Sequence, residues 1–163
     1  MKDTGSTMKI TTPTDREIVM TRVFEAPRRL VYDAHTQPEL IKRWLFGPEG
    51  WSLAVCEVDL KVGGKYRYVW RHTNGTEMGM GGVFREIVAP ERIVATEKFD
   101  ESWYPGEALD TTVFSEKDGR TTLTLTVLYE SKEARDIALT SGMDEGMALG
   151  YDRLAALVAG GNA

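Results

Sequence analysis

One cysteine, two histidines and no excess of basic residues deny this chain several kinds of chemistry. Cys56 alone excludes an intrachain disulfide and a thiolate metal cluster. His35, His72 and Cys56 fall at neither the i, i+4 spacing of a helical metal site nor a CxxC spacing, so no metal and no cofactor is expected. A formal net charge of -5 provides no basic stripe to release phosphate counterions, which argues against nucleic acid as a partner. No run approaches the roughly 18 apolar residues of a membrane span, and "MKDTGSTMKITTPTD" has no apolar core of an export signal. A reducing cytoplasm and no membrane partner are the expectation.

What the chain does have is ordinary for a soluble globular protein: 42% hydrophobic and 28% charged residues. A single domain of 163 residues buries roughly 70% of the surface its unfolded form exposes. The composition predicts a flexible tail over 1–15 and one folded domain over 16–160. "REIVMTRVFE" reads as a strand, and "APRRLVYDAH" as a helix with proline in its first turn. "TQPELIKRW" offers a second helix start, with Thr36 as cap and Glu39 three residues on, the spacing of a capping box. From Trp51 to Tyr129 six strands alternate with the turn signals "KVGG", "TNG", "VAP", "DESWYPG" and "KDG". The segment from Ser131 onward reads as a long helix on which Met143, Met147, Gly150, Leu154 and Val158 form one stripe.

One strand is unusual. "TEMGMGGVFREI" places Gly79, Gly81 and Gly82 where each weakens a strand by about 0.5–1 kcal/mol, with Met78 and Met80 between them. Bending around something, with deformable side chains facing it, accounts for both features. Alternation supplies the rest of that inner surface. Tyr66, Tyr68 and Trp70 share one face; Ile93, Ala95, Glu97 and Phe99 share another; Ile18, Met20, Arg22 and Phe24 follow suit. A two-residue Asp118-Gly119 turn sets Phe114 opposite Leu123, Thr112 opposite Leu125 and Asp110 opposite Val127, which sends Asp110 inward. Buried charges need partners, so Arg22 and Glu97 are read first as an ion pair, with a ligand anchor or an outward-turning bulge as alternatives.

Several segments in order, "TRVFEAP", "PELIKRWLFGPEGW", "CEVDLKVGGKYRYV", "GGVFREIVAPERIVATE" and "SKEARDIALTSGMDEGMALGYDRL", resemble the SRPBCC (START/polyketide cyclase) superfamily. The similarity is greatest to its branch of heat-shock-ninety ATPase activator homologues and spans about residues 16 to 159. A departure is "RWLFGP", where many members carry two adjacent tryptophans. The resemblance implies an α+β helix-grip fold: a curved, antiparallel, seven-stranded sheet, two short helices after the first strand, and a C-terminal helix over a cavity.

The residues expected to line that cavity are Met20, Arg22, Tyr66, Tyr68, Trp70, Met78, Met80, Phe84, Glu97, Asp110, Leu125, Met143, Met147, Gly150 and Leu154. Methionine and aromatic walls suit a small, largely apolar molecule, the first reading of function. A cofactor-free enzyme resembling the polyketide cyclases is the second, though no catalytic residue can be named. A co-chaperone stimulating a heat-shock ATPase comes third, because the chain lacks the extra N-terminal domain of such activators. Whether the protein forms a homodimer is left open.

Overall fold

The computed structural model describes residues 8–159. Its elements run β1 (Lys9–Thr11), β2 (Glu17–Phe24), α1 (Arg28–Thr36), α2 (Pro38–Ile41), β3 (Trp51–Val58), β4 (Lys65–His72), β5 (Glu77–Val88), β6 (Arg92–Phe99), β7 (Ala108–Lys117), β8 (Arg120–Leu128), α3 (Lys132–Leu139) and α4 (Met143–Val158). The strands form one antiparallel sheet in the order β1-β2-β8-β7-β6-β5-β4-β3. It is a helix-grip fold. No helix among the described residues is long and apolar enough to cross a membrane.

Among the described residues the sheet has eight strands, not seven. The additional one, β1, lies in the segment expected to be a tail, where Ile10 pairs opposite Met20 and covers the free edge of β2. Residues 1–7 of that expected tail, and residue 160 of the expected domain, lie outside the described residues. The C-terminal helix is also two helices. Ser131 caps α3 by accepting the Ala134 amide at 3.0 Å, and Gly142, with φ 90°, separates α3 from α4. The capping box at Thr36 does not form: its hydroxyl donates back to the Tyr32 carbonyl at 3.2 Å inside α1, and Gln37 precedes α2 without a side-chain cap.

Alternation along β2 buries Ile18, Met20, Arg22 and Phe24, and the Asp118-Gly119 turn, positive in φ at both residues, sets the β7–β8 register as expected. Arg22 and Glu97 are not partners. Arg22 reaches α4 instead, where its Nη1 donates to Asp152 Oδ1 at 2.6 Å. Arg22 is 7% exposed and Asp152 71%, so the two ends of the pair differ in what they lose when separated. Among the described residues Arg22 Nε is buried without a partner. Asp152→Ala therefore strands a buried cation and should lower stability by about 1–2 kcal/mol, more than Arg22→Met, whose leftover carboxylate stays hydrated. Urea denaturation of both variants checks the order; the reverse order would show that the pair adds little.

Candidate ligand-binding cavity

A cavity of about 760 Å³ lies between the concave face of the sheet and α4. Register explains its floor. Tyr68 pairs opposite Met80 and Trp70 opposite Met78, so β4 and β5 present alternating aromatic and methionine side chains to the same space. Phe84, Ile93, Ala95, Phe99, Thr112, Leu125 and Tyr129 continue that floor. The roof is the face of α4 carrying Met143, Gly146, Met147, Gly150 and Tyr151. A Cβ on Gly146 would meet nothing within 4 Å, whereas one on Gly150 would rest 3.6 Å from the Trp44 ring. The roof is thus thin where these glycines stand.

Three residues expected in the lining are absent from it. Met20 points inward as alternation requires, but it packs among Ile18, Val127, Ala134 and Ala138. The separate helix α3 fills that end of the sheet. Arg22 is turned to Asp152, and Leu154 is fully buried in the core that includes Phe24, Val31 and Tyr151. The others expected there, Tyr66, Tyr68, Trp70, Met78, Met80, Phe84, Glu97, Asp110, Leu125, Met143, Met147 and Gly150, all line the cavity.

Trp44 and Trp51, which the sequence leaves open between packing anchors and pocket rim, and Trp103, in a loop it leaves open between gate and packed loop, line the cavity; so do His35 and Tyr151, which are not expected from the sequence. Tyr151 lies four residues after Met147 on α4, a helical spacing that could have identified it. His35 lies on α1, whose approach to the sheet no local pattern reveals. The loop holding Trp103 and Tyr104 divides its roles: Trp103 faces the cavity, while Tyr104 is buried against Tyr129 with ring centroids 5.1 Å apart. His72 is outside, packed edge-on against Trp51.

The polar part of the cavity is a pair of acids. Ala95 pairs opposite Asp110, and Glu97 follows two residues later on the same face, so the carboxyls are diagonal neighbours on β6 and β7. Asp110 Oδ1 is shut off from solvent, with no hydrogen-bond donor of its own among the described residues. The two side chains share a hydrogen bond, which requires that one acid keep its proton. Burial foremost, then the charge of Glu97 and that hydrogen bond, raise the Asp110 carboxyl well above the ordinary value, so the proton belongs to Asp110. Glu97 Oε2 also accepts the Tyr104 hydroxyl at 2.9 Å.

Around the pair the hydroxyls and the ring nitrogens stay neutral. Tyr66 donates to the Thr96 carbonyl at 2.6 Å, and burial raises its pKa along with those of Tyr68, Tyr104, Tyr129 and Tyr151. Burial lowers His35 to about 4, against the smaller opposing effect of its bond to the Val31 carbonyl, so its Nδ1–H donates there at 2.8 Å. Cys56 is off the cavity, its thiol pushed up to about 11 by burial. Among the described residues no group of three His, Cys, Asp or Glu side chains could hold a metal ion. Chemically the site can offer apolar contact, one half-buried negative charge and one shared proton.

The model of the family described as Activator of Hsp90 ATPase homolog 1-like protein matches residues 25–159. No curated protein matches the chain. A crystal structure of a protein from Rhodobacter sphaeroides is 30% identical with a TM-score of 0.89, covering 94% of this chain and 98% of that one. One from Chromobacterium violaceum is 29% identical with a TM-score of 0.77, covering 89% and 98%. An AHSA1-like protein from Aeromonas hydrophila, 20% identical over 86% and 92% with a TM-score of 0.70, shares the fold. The sheet order, the helix over its concave face and the match to most of the chain agree: this chain belongs to the Activator of Hsp90 ATPase homolog 1-like family of the SRPBCC superfamily.

Proposed function

We propose that the protein binds a small, largely apolar molecule in the cavity between the sheet and α4. The observation that carries this reading is a space of about 760 Å³, within the range of small-molecule sites, walled by four methionines and a majority of aromatic and aliphatic side chains. Methionine re-packs around ligands of different outline, which supports a broad preference for flat or flexible molecules. The single cysteine supports a reducing, cytoplasmic setting.

A cofactor-free proton-transfer enzyme is the second reading, favoured by one observation, the Glu97–Asp110 pair at the cavity wall. It ranks second because Glu97 is already engaged by Tyr104 and Asp110, so neither acid is a free base aimed at a substrate.

Gly146→Leu tests the binding reading. Gly146 lines the cavity and a Cβ there meets nothing within 4 Å, so leucine extends from the roof without a clash at its Cβ, and replacing a glycine within α4 favours the helix by up to roughly 0.5–1 kcal/mol. The neutral apolar dye Nile red should bind the parent and bind the variant at least about tenfold more weakly, with the circular dichroism unchanged. A dye that ignores the parent, or binds both equally, rejects a usable cavity under this helix. Denaturing extraction and mass spectrometry of the purified protein then identify what it carries.

A further inference from the structure

Among the described residues, the charge on the acid pair has no counterpart inside the cavity. Arg153 is the one lining residue there that bears a permanent positive charge, and it is committed: its Nη1 donates to the Gly47 carbonyl at 2.6 Å, and its guanidinium lies 3.8 Å from the Phe46 ring centre. His35 also lines the cavity, but it is neutral and turned to the Val31 carbonyl. Arg22 is spoken for by Asp152 and stands outside the lining. The tyrosines near the pair offer hydroxyls only, and of these Tyr104 alone donates to it. Asp110 Oδ1 is shut off from solvent and Glu97 is half-buried on the cavity wall, so the pair's charge is partly desolvated with no cation beside it, a cost that an apolar pair in the same place would not carry.

Aromatic rings share the space with this charge. Tyr66, Tyr68, Trp70, Phe99 and Trp103 line it, and their faces attract a cation that the carboxylate holds nearby. Carboxylate and aromatic walls together fit one class of ligand. We infer that the ligand is an apolar amine whose ammonium group docks against Glu97 and Asp110 while its hydrocarbon part lies on the methionine and aromatic walls. Charge balances as well: two carboxyls sharing one proton carry a single negative charge, which one ammonium cancels without any proton having to leave. An alcohol of the same shape also donates a hydrogen bond, but leaves the negative charge uncancelled.

This inference rests on the cavity being a binding site, and the experiment separates the two. Affinities of 1-naphthylmethylamine and of its neutral isostere 1-naphthylmethanol are measured at pH 7 by calorimetry, beside Nile red. The parent should prefer the amine at least about tenfold, and Glu97→Gln, which removes the charge but keeps the shape, should bring the ratio of the two affinities to about one. Equal or tighter binding of the alcohol by the parent, or a preference that survives Glu97→Gln, overturns the amine. Nile red bound without an amine preference sinks this inference and spares the cavity; no binding of any probe sinks both. The ratio in the parent decides the matter by itself if Glu97→Gln does not fold.

Discussion

Gly82→Val should destabilise the protein by about 3 kcal/mol or more, a loss far beyond the ordinary surface substitution. A Cβ at this position would overlap the backbone carbonyl oxygen of Thr96 on the neighbouring strand. Backbone cannot swing aside as a side-chain tip can. Thr96 is also held by two hydrogen bonds: its carbonyl accepts the Tyr66 hydroxyl at 2.6 Å, and its own hydroxyl accepts the Val83 amide at 2.9 Å. Moving Thr96 therefore breaks a buried tyrosine bond and displaces Glu97, the next residue, from the acid pair. Gly146→Ala is the control, because its Cβ enters open space. A urea midpoint for Gly82→Val equal to that of the control would show that β5 does not need its glycine for close approach.

Asp110→Asn should flatten the pH dependence of stability and raise stability at neutral pH. In the folded protein the Asp110 carboxyl is raised well above the ordinary 3.8, so between that value and the raised one the folded state binds a proton that the unfolded state has released. Stability then falls as pH rises, by up to about 1.4 kcal/mol per pH unit for one proton. His35 works in the opposite direction, but only lower down: its folded value of about 4 lies below the ordinary 6.5, so its contribution is present above pH 6.5 and is lost as pH falls toward 4. Cys56 and the tyrosines, all raised, begin to matter only near pH 9 and above. The parent and Asp110→Asn share His35, Cys56 and the tyrosines, so the difference between the two proteins isolates Asp110. Urea unfolding of both proteins in steps from pH 4 to pH 8.5 should show the parent losing stability relative to Asp110→Asn as pH rises from 3.8 through the raised folded value, since the amide still donates to Glu97 and has no proton to lose. A difference between parent and variant that does not change with pH anywhere in this range would place the proton elsewhere.

Much of the inner surface is legible from local pattern. Two residues of positive φ at Asp118-Gly119 leave one register for β7 and β8, and that register by itself sends Asp110 inward. The alternation of Tyr66, Tyr68 and Trp70, of Ile93, Ala95, Glu97 and Phe99, and of Met78 and Met80 supplies most of the cavity floor in the same way. The acid pair is not legible. Alternation turns Glu97 and Asp110 inward one by one, but their adjacency depends on the β6–β7 register, and the long "DESWYPGE" connection between those strands imposes none.

By itself, then, the sequence determined which face of each strand is turned inward, because side chains alternate with a period of two whatever the strand packs against, and its ordered motifs identified the helix-grip architecture. Only the tertiary structure decided what each inward residue meets. Met20 and Leu154 face the interior but are covered, by α3 and by the main core, while Arg22 finds Asp152 on α4 rather than Glu97 across the sheet. Alternation carries no information about height along a strand or about the element that closes over it, and the helix break at Gly142 that sets both α3 and α4 in place rests on one glycine at positive φ.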